Sequence, residues 1–161
     1  MSKKGYLTAE EYRALRELLG FTQAEAAEFH KVQNMRTIRR WESGDSWVSE
    51  LACDKISQLA IQIEQIINAG FEQWQKGKYP VTLLIYPDDC KMAIGFEDLP
   101  NSVHRAMVYR LYAKIKEAGG EVSIVTFNPQ LYMIWLAQHK LKDNQAHRGA
   151  WAAEYYQKNA N

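Results

Sequence analysis

Within its first forty-five residues this chain carries three helix-start signals, each followed shortly by a stop, which rules out any long opening helix or strand. Thr8 followed three residues later by Glu11 is a capping box, and Tyr12, Leu15, Leu18 and Leu19 continue at helical spacing until Gly20. The spacing predicts a first helix over Thr8 to Leu19. Thr22 with Glu25 at the box position opens a second, through Phe29, in which Ala26 and Ala27 permit close approach of a neighbour. Asn34 caps a third, from Met35 to Glu42, and Ser43-Gly44 closes it with a residue that tolerates positive φ. Three short helices so close together must pack on one another.

The third helix has two unlike sides. At about 100° per residue, Ile38 and Trp41 share one direction, and Arg36, Arg39 and Arg40 fall within about 50° of the opposite one. Lys31, Arg36, Arg39 and Arg40 are the charged residues between Lys31 and Trp41, and none is acidic. With 20 basic and 19 acidic residues the net charge is only +1, so attraction to nucleic acid must come from such a local patch. A basic tetrad alone is most often a solvated face. Guanidinium forks also suit guanine O6 and N7 in a major groove, or a phosphate.

Beyond Trp47 the texture changes. Val48, Leu51, Ile56, Leu59, Ile63 and Ile66/Ile67 describe one helix, or two nearly collinear ones, ending before Gly70; Gln75 to Pro80 reads as a turn-rich connector. Val81 to Tyr86 reads as a buried strand stopped by Pro87-Asp88-Asp89, and Lys91 to Phe96 as a short strand. Ser102 to Ala118 is helical and ends at Gly119-Gly120; Val122 to Phe127 is a further strand. Strand, helix and strand in that order predict a βαβ crossover with the two strong strands parallel and adjacent. Helices from Asn128-Pro129 and from Asn144 to Gln157 follow, carrying Tyr132, Trp135, Trp151, Tyr155 and Tyr156 for a core or a subunit interface.

Several function classes are disfavoured. Cys53 and Cys90 lie far apart without metal or redox spacing, and no leader-like stretch precedes them, so reduced thiols in a cytoplasmic protein are expected. No apolar run approaches the roughly 20 residues of a membrane span. His30, His104, His139 and His147 have no ligand spacing, so no metal or cofactor is expected. Asp88 and Asp89 follow a strand, where α/β ligand sites form, with Glu121 a further acid; without a nucleophile or phosphate loop, Pro87-Asp88-Asp89 reads as a turn and the chain as a non-enzyme.

The string Gly20-Phe21-Thr22-Gln23-Ala24-Glu25-Ala26-Ala27, followed by Thr37-Ile38-Arg39-Arg40-Trp41-Glu42-Ser43-Gly44, resembles the Cro/phage-repressor (XRE) class of helix-turn-helix regulators. Within that class it is most similar to the YdiL-like proteins and anti-CRISPR-associated autorepressors. The similarity persists weakly from Tyr86 to Tyr112 and ends by Gly120. The resemblance implies that Gln23 contacts phosphate, that Arg36 and Arg40 reach base edges, and that Ser43 lies near the DNA backbone. Thr37 and Arg39 are further phosphate candidates. The turn before the third helix is one residue longer than usual, which leaves either Asn34 or Met35 at the first base-facing position. The resemblance also implies a structural pair between Arg16 and Glu42.

The expected fold class is α+β or α/β: a helix-turn-helix domain over residues 1–47, a linker helix and connector over 48–79, and a small α/β dimerisation domain with a βαβ unit over 80–161. The expected function is a homodimeric, sequence-specific transcriptional regulator, a repressor reading an inverted repeat in double-stranded DNA, whose half-sites lie roughly 34 Å apart. Two alternatives stay open. One is an antitoxin-like protein-binding module with a DNA-binding head; the other is a regulator that senses a ligand through its second half.

Overall fold

The computed structural model describes residues 3–90 and 93–160. Among them are seven helices and a two-stranded parallel sheet, an α+β protein dominated by helix. The chain divides into two compact units, Met1–Ile66 and Ile67–Asn161.

In the first unit, α1 (Ala9–Leu19), α2 (Gln23–His30) and α3 (Met35–Ser43) stand where their signals place them. Thr8 and Glu11, and again Thr22 and Glu25, form complete reciprocal capping boxes; Asn34 Oδ1 accepts from the Arg36 N–H at 3.0 Å. Gly20 and Gly44 end α1 and α3 at φ of +85° and +79°, a region costly for residues with a Cβ. Lys31 ends α2 in the same region, with the Lys31 and Val32 N–H groups closing on carbonyls of α2, and the chain then needs Lys31 to Asn34 to reach α3. α3 packs on both α1 and α2. Tyr12, Leu19, Phe21, Ala26, Ile38 and Trp41 are buried, each large apolar side chain contributing about 1.5–3 kcal/mol.

The helix after Trp47 differs from expectation. It is one continuous α4 (Glu50–Gly77), which neither stops before Gly70 nor leaves Gln75 to Gly77 as connector. Gly70 does not break it, because a helix tolerates an isolated glycine and this one faces Leu111: a Cβ here would lie 3.1 Å from Leu111 Cδ2. Past it, Phe71 and Trp74 pack with Ile115, Leu111 and Val122, and this burial carries the helix on to Gly77.

In the second unit, β1 (Val81–Ile85) and β2 (Val122–Thr126) pair in parallel from Val81↔Val122 to Ile85↔Thr126, with α5 (Asn101–Glu117) between them in sequence, as the βαβ pattern predicts. Lys91 and Met92 lie outside the described residues, and Ala93 to Phe96 form a turn closed by Phe96 N–H to the Ala93 carbonyl, so the expected strand over Lys91 to Phe96 is not formed in its described part. The last two helices are α6 (Pro129–His139) and α7 (Gln145–Asn159), capped by Asn128 and Asn144. Tyr132 and Trp151 belong to the core with Tyr86, Phe127 and Leu136; Trp135 and Tyr155 are partly buried, and Tyr156 is exposed. Buried Arg148 ties α7 to this core. It donates to both Asp143 oxygens (2.8 and 2.6 Å) and to the Tyr86 hydroxyl (3.1 Å), and its guanidinium lies 5.0 Å from the Phe127 ring centroid. Both cysteines are free and buried. None of the described helices is long and apolar enough to cross a membrane.

Candidate nucleic-acid interface

The burial of α3 decides which of its side chains face outward. Ile38 is 0% and Trp41 6% exposed, whereas Arg36, Arg39 and Arg40 are all exposed. The ridge is anchored from beneath by an ion pair. Arg16, buried on α1, donates through Nε to Glu42 Oε1 and through Nη2 to Glu42 Oε2 at 3.3 Å, while its Nη1 donates to the Phe21 carbonyl at 2.7 Å. The two side chains are 9% and 6% exposed. The Arg16–Glu42 pair implied by the sequence resemblance is therefore present, bidentate and dry.

That pair extends to the surface. Gln23, the first residue of α2, donates from Nε2 to Glu42 Oε2 at 2.8 Å and accepts at Oε1 from Arg39 Nε at 3.2 Å. Gln23 Nε2 carries a second hydrogen that these bonds do not use. Arg39 is further steadied by Met35, whose sulfur lies 3.7 Å from Arg39 Nη2. A continuous chain Arg16–Glu42–Gln23–Arg39 thus links the core of α1 to the exposed face of α3. The sequence singles out all four residues but not the contact of Gln23 with Glu42, which joins positions nineteen residues apart.

The other candidates divide by how their side chains are held. Arg36 and Arg40, one helical turn apart, have no hydrogen-bonding or ion-pair partner for their guanidiniums among the described residues, so two cations stand side by side with no carboxylate on them. Asn34 is occupied as the cap of α3, and Thr37 is half-buried, its N–H bonded to the Asn34 carbonyl at 3.2 Å. Ser43 Oγ donates to Asp45 Oδ2 at 2.8 Å, just past the end of the helix. The structure thus brings Gln23, Met35 and Arg39 together, leaves Arg36 and Arg40 projecting, and sets Ser43 at the far end. Sequence reasoning passed over Lys4 and Trp47, which share a groove with Arg40.

Beneath the ridge sits a partly buried histidine. Both His30 ring nitrogens are buried without a hydrogen-bond partner, with the ring 5.6 Å from those of Tyr12 and Trp41 and 5.0 Å from that of Phe29. Burial, and secondarily the Lys55 ammonium, holds its pKa down at about 4, so His30 is neutral near pH 7. Lys55 in turn donates to the Phe29 carbonyl in the last turn of α2, the end where a cation is favoured. The acids weighed in the second unit are differently placed: Asp88 pairs with Arg105 at 2.9 Å.

A family model described as Aca2/YdiL-like matches residues 7–119, from just before α1 through α5. The match stops before β2, α6 and α7. No curated protein matches the chain. Since the family model covers well over half of the sequence, including α1 to α3 with their arginine ridge, the chain belongs to the Aca2/YdiL-like family, a family associated with regulation.

Proposed function

We propose that this protein is a sequence-specific DNA-binding transcriptional regulator in which α2, the Lys31–Asn34 turn and α3 act as a helix-turn-helix. The observation that carries this reading is the pair of exposed guanidiniums on Arg36 and Arg40, held on a helix whose opposite face is buried and whose base is fixed by Arg16–Glu42. A rigid helix with forked donors on its outer face suits the major groove, where Arg pairs with guanine O6 and N7. Gln23 and Arg39, joined at the start of α2, offer N–H donors to a phosphate beside the groove, a site also favoured by the positive end of a helix. Ser43 and Thr37 are the outer backbone contacts.

One such unit contacts too little DNA to be selective, so two copies reading an inverted repeat, with half-sites about 34 Å apart, complete the proposal. Residues 80–161 are the part assigned to pairing the copies, and Leu131, Met133 and Ile134 of α6, all exposed, are the apolar side chains available for it. Occupancy of such a site within a promoter excludes polymerase, which makes repression the simplest output.

Selection of bound duplexes from a random pool, with light scattering on the complex, tests both halves of the proposal. The expected result is a palindromic site bound by two chains. Arg36→Ala and Arg40→Ala should each lose about 1–3 kcal/mol of discrimination at particular base pairs, and Gln23→Ala should weaken all sequences alike. Unchanged base preference in both arginine variants would overturn the assignment of base contacts, and a site without two-fold symmetry would overturn the dimer.

A further inference from the structure

A groove opens at the C-terminal end of α3 that the ridge itself does not explain. The N-terminal arm lies antiparallel to the segment leading into α4: Lys4 bridges Ser49, the Gly5 N–H donates to the Val48 carbonyl, and the Glu50 N–H donates to the Lys3 carbonyl, both at 2.8 Å. Gly5 makes this approach possible, because a Cβ there would lie 2.2 Å from Cys53 Sγ and 2.9 Å from two backbone carbonyl oxygens. The arm so fixed leaves a groove of about 510 Å³, with Lys4, Leu7, Arg40, Trp41, Asp45 and Trp47 among its walls.

The lining is chemically specific. Trp47 is 59% exposed, unusual for so large an apolar side chain, whereas its neighbour Val48 is buried. Lys3 is paired with Glu50 at 3.1 Å, but Lys4 and Arg40 have no carboxylate partner among the described residues. Two of the carbonyls that would repel an anion at this helix end are engaged: Arg40 C=O accepts from the Ser46 N–H at 3.1 Å, and Trp41 C=O from the Gly44 N–H at 3.3 Å. Asp45, the one acid in the lining, is bonded to Ser43 Oγ. Two unpaired cations and an exposed indole, which has both a flat apolar face and an N–H donor, match a unit that is anionic on one side and apolar on the other.

We infer that this groove binds the sugar–phosphate backbone of DNA flanking the bases read by α3, with Lys4 as the phosphate contact and Trp47 covered by the adjoining deoxyribose. The inference rests on the DNA-binding function proposed above and deepens it: Arg40 belongs to both the ridge and the groove, so a duplex on one is continuous with the other. It makes the N-terminal arm and the α3–α4 segment part of the binding surface and extends the contact beyond α2 and α3.

The test uses the full chain and a selected operator duplex. Of the five tryptophans, Trp41, Trp74 and Trp151 are buried and Trp135 is half-buried with its N–H on Glu154, so acrylamide quenching of fluorescence reports chiefly on Trp47. The operator should protect this fluorescence, and Trp47→Phe should abolish the protected component. Lys4→Ala, at an ammonium with no hydrogen-bond or ion-pair partner among the described residues, should reduce the magnitude of the slope of log K against log salt by about 0.9 while leaving the selected sequence unchanged. A wild-type chain that binds its operator with Trp47 as quenchable as before, and a Lys4→Ala chain with an unaltered slope, would overturn the groove assignment and leave the α3 reading standing. Failure of the wild-type chain to bind any duplex would remove both.

Discussion

Removing the Glu42 carboxylate should damage the first unit out of proportion to the size of the change. In Glu42→Ala the Arg16 guanidinium loses the acceptors of its Nε and of one Nη2 contact, and Gln23 Nε2 loses the Glu42 carboxylate as acceptor. What remains for Arg16 is the Phe21 carbonyl at 2.7 Å and the exposed Glu17 carboxylate at 3.3 Å. A buried charge stripped of its partner costs about 3–5 kcal/mol. Against the roughly 5–15 kcal/mol of an ordinary domain this is about a fifth of the total or more, and at about 2–4 °C per kcal/mol for a chain of this size it should lower Tm by roughly 6–20 °C. Thermal and urea denaturation would measure it. The companion variant Arg16→Met with Glu42→Leu replaces both charges by apolar groups and should recover most of the loss, because it leaves no orphaned ion. If Glu42→Ala cost under about 1 kcal/mol, or the double variant were as unstable as the single, the pair would be a weak surface-like contact and the account of α3 anchoring would be wrong. The proposed DNA binding adds an independent readout: the double variant should keep the base preference assigned to Arg36 and Arg40 but lose affinity, since Gln23 no longer has Glu42 to position it.

Two further outcomes follow from the buried polar groups. His30 and His104 are both held down at about 4 by burial, below the roughly 6.5 of an unfolded histidine, so the folded state excludes a proton that the unfolded state accepts. Their contribution is complete above pH 6.5 and is lost as pH falls towards 4; His30→Phe, fitting among the rings of Tyr12, Phe29 and Trp41, should flatten the fall in urea midpoint over that window, and a profile identical to wild type would refute it. Arg148→Met should destabilise the second unit by about 2–4 kcal/mol, losing cation–π contacts and the bond to Tyr86. It should also let the Asp143 carboxyl, now held low chiefly by its hydrogen bonds from Arg148, titrate nearer the ordinary range, which carbon-detected NMR would follow.

The caps of the first three helices and their stops, being local, were legible from sequence to within a residue: Thr8, Thr22 and Asn34 all cap the helices they announce, because a side-chain oxygen and a backbone N–H two or three residues on need nothing else from the fold, and Asn128 and Asn144, read only as helix starts, prove to be caps as well. The inward side of α3 was equally plain, since one period fixes where Ile38 and Trp41 point. Gly70 misled because its local cost is only about 1 kcal/mol and the contacts that outweigh it, Phe71 and Trp74 with residues of α5 and β2, lie 37 or more residues away. The parallel pairing of Val81–Ile85 with Val122–Thr126 followed from the order of elements; the turn at Ala93 to Phe96 depended on surroundings that an apolar run does not encode.

At the candidate interface the division is the same. Sequence alone determined the residue types, the helix that carries them and, through resemblance to a regulator class, the partnership of Arg16 with Glu42. Tertiary structure decided how those residues are engaged: Gln23 and Arg39 are bonded to each other, Arg36 and Arg40 are left unpaired, and Lys4 is brought beside Trp47 and Arg40 from the other end of the unit. Spacing along a chain fixes the direction of a side chain on its own helix. Which partner it meets depends on the packing of several elements at once, and that packing is set by the burial of Tyr12, Ile38 and Trp41 rather than by any polar residue at the surface.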